Sequence, residues 1–186
     1  MEMHLYVLFV KTGYEQQTAY KISQVWKIDG LQPFIPMYDT YFKKNGMMKL
    51  EKKETFPGYV FIETIFEGKD FYLTIKPFIL LSQNTFKLLR HGNECGSENC
   101  SGFEMMNDER KSFMRLYNNK YCIEMSQGFI ENDLVVITKG PLKGFESQIK
   151  KIYRHKSEAV VEVRMMGRVC EMKVGLEIIS KVPNRH

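Results

Sequence analysis

The first part of the chain pairs a strand-length apolar run with a segment of helical periodicity. Residues 5–10 are apolar throughout, and the run stops at Lys11-Thr12-Gly13. Thr12 stands three residues before Glu15, the spacing of a capping box, so Thr12 can accept the first free amides of a helix. Apolar positions then recur at helical spacing until Asp29-Gly30, where a glycine can end the helix. The pattern predicts a strand followed by a helix that Thr12 caps.

A β-hairpin and a further strand are predicted next. Asn45-Gly46 separates two polar, lysine-bearing segments. This dipeptide favours a hairpin turn, because both of its residues tolerate positive φ. The segment 55–64 then alternates along a strand, with Val60 on one face of the sheet and Tyr59 and Phe61 on the other.

Two more helices and a strand complete the first half of the chain. A short helix over 67–74 should end before Pro77, because a proline disfavours helical backbone at the residue that precedes it. A strand is predicted over 85–90. Asn107 can cap a last helix, since its side chain accepts from free amides and acidic residues follow in the first turn.

The second half consists of short strands separated by turns, beginning near Asp133. Val161, Val163 and Met165 alternate with charged residues, and the segment 170–174 alternates in the same way. Strict alternation with tight turns predicts a small barrel of about five strands. The predicted fold class is α+β. An antiparallel sheet flanked by helices should form a first domain over 1–118, followed by a linker over 119–127 and the barrel over 128–186.

Composition excludes several classes of protein. The 186 residues are 44% hydrophobic and 26% charged, which is ordinary for a globular protein and argues against disorder. No apolar run reaches the roughly 20 residues that cross a bilayer, and the N-terminus lacks the features of a secretory signal. We therefore expect a cytoplasmic, monomeric protein without a membrane partner and with free thiols. The net charge of +5 permits a polyanion partner without requiring one.

Motifs in both halves resemble one protein family. Leu5-Tyr6-Val7-Leu8 and Phe56-Pro57-Gly58-Tyr59-Val60-Phe61 resemble the N-terminal domain of NusG-type transcription factors, and 133–146 resembles their KOW motif. The tail 173–181 resembles LoaP, a specialised paralog within the family. The resemblance implies a transcription elongation and antitermination factor with an NGN domain and an SH3-like KOW barrel. Ser147 departs from the pattern, because the motif usually has glycine there.

The resemblance implies that an apolar sheet face grips the clamp helices of the largest RNA polymerase subunit. In this chain the face would lie on one side of the first strand and of the Phe-Pro-Gly strand. The candidate RNA polymerase-binding residues are Leu5, Val7, Phe9, Tyr59 and Phe61. An aromatic patch is costly to leave in water and marks an interface. The strand pattern alone equally allows both faces to be covered by the chain's own helices.

The resemblance also implies that the corner after the first strand approaches the non-template DNA strand. The candidate non-template DNA-binding residues are Lys11, Tyr14, Gln17 and Lys21. The lysines would anchor phosphates, and Tyr14 or Tyr20 would stack on a base. The lysines of the predicted hairpin fit a solvated face better, because Glu51 and Glu54 stand among them.

Basic side chains of the barrel form a third candidate set. The resemblance to LoaP implies that this domain binds a nascent RNA hairpin, whose stem offers closely spaced phosphate rows. The candidate RNA-binding residues are Lys139, Lys143, Lys150, Lys151, Arg154, His155, Lys156, Arg164 and Arg168. Those in the loops 139–144 and 153–158 can converge on one rim. The alternative is a protein-binding barrel that recruits a ribosomal protein or the termination factor Rho, as implied for general NusG.

No motif indicates catalysis or a bound cofactor. The sequence lacks the Gly-x-Ser-x-Gly, His-Glu-x-x-His and Walker patterns, so we predict a protein that is not an enzyme. His91, Cys95 and Cys100 offer three local ligands where zinc takes four. The sequence therefore predicts loop thiols at these positions and no metal site.

Overall fold

The computed structural model describes residues 3–44, 47–91 and 102–182. The chain divides into two compact units that do not follow the linear order of the sequence. The first unit combines Met1–Ile35, Phe56–Ser112 and Arg164–Arg168. The second combines Pro36–Thr55, Phe113–Val163 and Val169–His186. In the described ranges no helix has the length and apolar character needed to cross a membrane.

Short strands dominate the secondary structure. The strands are β1 (His4–Val10), β2 (Leu31–Phe34), β3 (Met37–Lys44), β4 (Met47–Glu54), β5 (Tyr59–Thr64), β6 (Thr85–Leu88), β7 (Cys122–Ile123), β8 (Ser126–Glu131), β9 (Leu134–Lys139), β10 (Ile149–Tyr153), β11 (Glu158–Met165) and β12 (Arg168–Val182). The α-helices are α1 (Glu15–Tyr20), α2 (Gly68–Leu81) and α3 (Asn107–Met114). A π-helical segment, Lys21–Trp26, continues α1, and 3₁₀ turns occupy Glu146–Gln148 and Arg154–Lys156.

The first unit is built on an antiparallel sheet with the strand order β2-β5-β1-β6. One face of this sheet holds the core of the unit, where the ring of Tyr6 stacks on the ring of Phe71 at 3.7 Å between centroids. Because β1 alternates, Tyr6, Leu8 and Val10 all point to this face, and α2 covers it. The predicted strand at 5–10 and its position in a sheet flanked by helices are confirmed.

The start of α1 differs from the sequence prediction. The helix begins at Glu15, and the residue before it makes no side-chain capping bond. The buried Glu15 carboxylate instead accepts hydrogen bonds from the N–H of Gly13 at 2.7 Å and from the N–H of Gly58 at 2.6 Å. The predicted cap at Thr12 is wrong, because the acid itself accepts from an amide of the β1–α1 corner and from an amide of the turn before β5.

The second helix is longer than predicted, since α2 continues through Pro77 to Leu81. An internal proline removes one backbone hydrogen bond of a helix. Burial of Phe71, Ile75 and Phe78 on the core side of α2 outweighs that loss. The predicted end before Pro77 is wrong for this tertiary reason, whereas the predicted helix at Asn107 is present.

The second unit contains a five-stranded sheet with the order β10-β11-β12-β8-β9. Met172 and Val174 are buried in β12 while Glu171 and Lys173 are exposed, as the alternation predicts. The predicted α+β class with a small five-stranded C-terminal sheet is confirmed. Ser147 lies in a 3₁₀ turn, and it is not among the residues with positive φ, so the departure from glycine causes no strain there.

The predicted hairpin also belongs to the second unit. β3 and β4 pair in antiparallel register from Met37 opposite Glu54 to Lys44 opposite Met47. The predicted turn residues Asn45-Gly46 lie outside the described residues. β7 extends this hairpin in parallel to β3, and the domain limits at 118 and 128 stay predictions.

Candidate functional site

Three aromatic rings meet at the surface of the first unit. Phe9 of β1 lies opposite Tyr59 of β5 in the sheet, with 5.4 Å between ring centroids. The ring of Phe86 on β6 lies 5.3 Å from the ring of Phe9 on the other side. Phe9 and Tyr59 are half-buried, and Phe86 is 53% exposed. We call Phe9, Tyr59 and Phe86 the aromatic cluster; the sequence analysis missed Phe86, which only the β1–β6 pairing brings to the other two.

Gly58 sets the position of Tyr59 in this cluster. Its φ of +88° is a conformation that side-chain-bearing residues rarely adopt, and its N–H is held by Glu15. The Phe-Pro-Gly-Tyr sequence therefore turns the chain sharply into β5 with Tyr59 opposite Phe9. A Cβ at this position would lie 3.7 Å from the Phe9 ring, which is ordinary contact, so the positive φ rather than the Phe9 ring favours glycine here.

Three of the five residues predicted to form an exposed face lie inside the molecule. Leu5, Val7 and Phe61 have no exposed surface. The ring of Phe61 lies against Phe34 at 5.6 Å and Phe56 at 6.0 Å between centroids. The predicted exposure is wrong for these three, because the chain itself covers this side of the sheet. Of the five predicted residues, Phe9 and Tyr59 keep part of their surface exposed, and both belong to the aromatic cluster.

The residues proposed for DNA contact lie around the β1–α1 corner. The Lys11 ammonium lies 5.2 Å from the centroid of the Tyr14 ring. Lys11 and Gln17 are exposed, whereas Tyr14 and Lys21 are half-buried. The corner is joined to the end of α2, since the N–H of Lys11 donates to the carbonyl oxygen of Asn84 at 2.8 Å.

A cavity of about 330 Å³ opens beside Lys21 in the same unit. Its lining combines an ammonium, an indole and two side-chain amides; the residues are Lys21, Val25, Trp26, Phe78, Leu81, Ser82, Gln83 and Asn84. The indole of Trp26 is held edge-on against Phe78, with 5.4 Å between centroids. A flat wall beside amides and a cation suits a planar ring with polar edges. Sequence reasoning missed Trp26, Gln83 and Asn84, because only the fold brings 21–26 next to 82–84.

All nine basic residues predicted on the barrel are exposed. Tyr153 organises part of the set, since its ring has the Lys151 ammonium at 4.9 Å and the Lys156 ammonium at 5.8 Å from its centroid. Lys150 forms an ion pair with Glu162 at 2.8 Å, so its charge is partly compensated. Arg154, His155 and Lys156 form a 3₁₀ turn, which we call the basic turn.

Hydrogen bonds attach the two basic loops, 139–144 and 153–158, to neighbouring positions of the five-stranded sheet. The N–H of Leu142 donates to the hydroxyl of Ser126 at 3.1 Å, and the N–H of Leu176 donates to the carbonyl oxygen of Ser157 at 2.9 Å. Ser126 and Leu176 lie opposite each other in the β8–β12 pair. The loop that carries Lys139 and Lys143 and the loop that carries the basic turn therefore start from adjacent positions. Arg164 and Arg168 belong to the first unit and are not part of this group.

Comparisons with protein families and with individual proteins agree with each other. Residues 3–91 match the family model described as transcription termination factor nusG. The transcription termination/antitermination protein NusG of Bacillus subtilis is 24% identical, over 98% of this chain and all of that protein. The corresponding protein of Halalkalibacterium halodurans is 21% identical over the same shares. These comparisons show that the chain is similar to NusG proteins, with the family model matching residues 3–91.

A solved structure described as the domain interaction in Thermotoga maritima NusG has the same fold. It matches with a TM-score of 0.51 and 21% identity, over 96% of this chain and 95% of that chain. The likeness spans both halves of this NusG-like chain.

The cysteines of this NusG-like chain supply no metal centre among the described residues. Cys95 and Cys100 lie outside the described residues. Cys122 is buried in β7 with its sulfur 3.4 Å from the Asp39 carboxylate. Burial, followed by the nearby negative charge of Asp39, raises the pKa of Cys122 to about 11, so its thiol stays protonated at neutral pH.

Proposed function

We propose that this NusG-like protein is a specialised transcription elongation and antitermination factor, similar in role to LoaP. It binds RNA polymerase through the aromatic cluster and a nascent RNA hairpin through the basic turn, and it suppresses pausing and termination in particular operons. The observation that carries the specialised role is the exposed basic turn, which adjoins the loop of Lys139 and Lys143.

The aromatic cluster supports polymerase binding through its exposure. Phe86 leaves about half of its surface in water, and Phe9 and Tyr59 lie directly beside it. Aromatic side chains that meet at a surface are typical anchors of protein interfaces. An apolar ridge on the clamp helices of the largest polymerase subunit is the partner proposed for this cluster.

The mechanism follows from differential binding. A factor that binds the closed clamp more tightly than the open clamp shifts the equilibrium toward closure by the difference in affinity. Pausing and termination need rearrangement of the clamp, so they become rarer. A second contact to the nascent RNA raises the effective concentration of the factor at one operon without tight binding by either contact alone.

The β1–α1 corner supports an additional contact with the non-template DNA strand. Lys11 and Lys21 would bind phosphates, while Tyr14, Gln17 and the cavity beside Trp26 would hold exposed bases. In this arrangement the DNA contact orients the first unit on the transcription bubble.

A general NusG-like factor is the second candidate, and exposed apolar residues of β9 favour it. Leu134 is 71% exposed and Val136 is 38% exposed, which suits a protein partner such as a ribosomal protein or Rho. A gel-shift assay with the full chain separates the two candidates. Saturable, salt-sensitive binding to one RNA hairpin, but not to a scrambled RNA, supports the specialised role. Equal binding to both RNAs would favour the general role.

A further inference from the structure

The β3–β4 hairpin is a ribbon with one supported half and one bare half. β7 pairs with β3 only at Met37 and Tyr38, and β4 lies at the edge of this sheet. Within the described part of the chain, the ribbon beyond Tyr38 has no third strand. Its outer positions, 41–44 and 47–50, are paired only with each other.

The supported half is fastened to β11 through the buried carboxylate of Glu158. The Tyr38 hydroxyl donates to this carboxylate at 3.2 Å, and the Lys53 ammonium lies 3.2 Å from the same oxygen. Tyr38 lies on β3 and Lys53 on β4, opposite each other in the hairpin. Both strands of the ribbon are therefore held by a single side chain.

The same junction brings the ribbon to the basic turn. The Thr40 hydroxyl donates to the carbonyl oxygen of Lys156 at 3.4 Å. Gly175 of β12 permits the backbone of β3 to approach closely, since a Cβ at this position would collide with the carbonyl oxygen of Asp39. The ribbon thus leaves the barrel directly beside Arg154, His155 and Lys156.

The bare half combines exposed apolar side chains with positive charge. Phe42 is 49% exposed, Met47 60%, Met48 55% and Leu50 56%. The register puts Phe42 and Met47 on one face of the ribbon and Met48 and Leu50 on the other, so both faces are open. The sequence 40–50 contains three lysines and no acidic residue. The bare half therefore joins exposed apolar groups to a lysine-bearing sequence, which complements a polyanion that also presents flat apolar surfaces.

We propose that this bare half is a second RNA-binding element, which contacts the unpaired loop bases of the RNA hairpin whose stem lies against the basic turn. The inference rests on the proposed function and extends it to residues of the β3–β4 hairpin. Among the described exposed side chains, Phe42 can stack on a base, Lys49 can bind a phosphate, and the methionines and Leu50 can pack against base faces. Base pairing and stacking cover the flat faces of bases in a duplex, so exposed apolar side chains favour the unstacked bases of an RNA loop.

The test measures fluorescence anisotropy with the full chain and three labelled probes. The probes are an RNA stem-loop with a uridine loop, the same RNA stem as a blunt duplex, and a DNA duplex of the same sequence. The ribbon variant is Phe42→Thr/Met48→Thr, which keeps residues that favour strands. The matched control is Leu73→Gln/Leu80→Gln, which removes exposed apolar groups from α2. Arg154→Glu/Lys156→Glu tests the proposed function in parallel.

We expect the ribbon variant to bind the RNA stem-loop about tenfold more weakly, because stacking on unpaired bases is lost. Its affinity for the two duplexes and the affinities of the control should match those of the wild type. An unchanged stem-loop affinity of the ribbon variant, with weakened binding by Arg154→Glu/Lys156→Glu, would overturn this inference and leave the proposed function intact. Weakening only in the ribbon variant would overturn the role of the basic turn instead. Equal losses of the ribbon variant on all three probes would show that its contribution does not depend on unpaired bases and would overturn the loop contact.

Discussion

The Tyr38 hydroxyl donates a hydrogen bond to the Glu158 carboxylate at 3.2 Å, across 120 residues of sequence. Both side chains are buried, and the Lys53 ammonium balances the negative charge. Burial, together with the nearby carboxylate, raises the pKa of Tyr38, so its hydroxyl stays a donor over the physiological pH range. This bond holds the β3–β4 hairpin and the five-stranded sheet in one compact unit.

Removal of the Glu158 carboxylate should therefore destabilise the second unit. Glu158→Ala leaves the Tyr38 hydroxyl without its acceptor and Lys53 without its counter-ion, so we expect a loss of about 1–3 kcal/mol in the free energy of unfolding. Glu158→Gln keeps an acceptor and should lose less. Urea denaturation measures both values. Glu162→Gln, on the same strand but in the more exposed pair with Lys150, is the control and should change stability by less than about 1 kcal/mol. Equal effects at the two positions would contradict this assignment.

The aromatic cluster should be required for polymerase association. Tyr59→Ala/Phe86→Ala removes two of its three rings, and alanine substitution of an interface anchor typically costs at least about 2 kcal/mol in binding. Co-purification of RNA polymerase with the tagged full chain should fall at least about tenfold. Leu73→Ala/Leu80→Ala removes exposed apolar groups elsewhere in the first unit and should leave association unchanged. Normal recovery of polymerase with the double variant would exclude this docking surface.

Charge reversal at the basic turn should separate RNA binding from polymerase binding. Arg154→Glu/Lys156→Glu should abolish binding to the RNA hairpin while polymerase co-purifies as before. The dependence of affinity on salt checks the reason, because each lost phosphate contact should lower the slope of log K against log salt by about one. Lys69→Glu/Lys111→Glu makes the same charge change on exposed positions of the first unit and should retain RNA affinity. If both double variants lose RNA equally, net charge rather than the turn controls binding.

The cavity beside Trp26 should contribute to the DNA contact. Trp26→Leu removes the flat wall, and we expect about five- to tenfold weaker binding to single-stranded DNA because base stacking is lost. Lys21→Gln should weaken binding and reduce its salt dependence, since this lysine is proposed to bind phosphate. Lys27→Gln lies just beyond the cavity lining and is the matched control. Wild-type affinity in Trp26→Leu would show that DNA does not enter the cavity.

Cys122 should make stability depend on alkaline pH. Its pKa is raised in the folded protein, so the folded state favours the neutral thiol and gains stability that is fully present below the ordinary pKa near 9. That stability is lost as the pH rises toward about 11. The free energy of unfolding should therefore fall more steeply between these pH values in the wild type than in Cys122→Ala. Parallel pH profiles would contradict a protonated buried thiol.

The sequence by itself determined the features that depend on neighbouring residues. The apolar run of β1, the alternation along β5 and β12, the presence of the β3–β4 hairpin and the helix at Asn107 all follow from local periodicity and turn chemistry. The two motifs that carry the family resemblance also depend on local conformation, such as the positive φ of Gly58. The exposure of the basic turn followed in the same way, because charged residues in a tight turn have no route into a core.

Only the tertiary structure decided which apolar side chains remain open to a partner. Alternation identifies two faces of a strand but cannot say whether one of them is covered, so Leu5, Val7 and Phe61 are buried while Phe86 is exposed. Three further features likewise depend on contacts between distant segments. Glu15 rather than Thr12 accepts from the free amides, α2 continues through Pro77, and Trp26 lines the same cavity as Asn84. Local patterns carry no information about such contacts, because their energies arise only when the chain has folded.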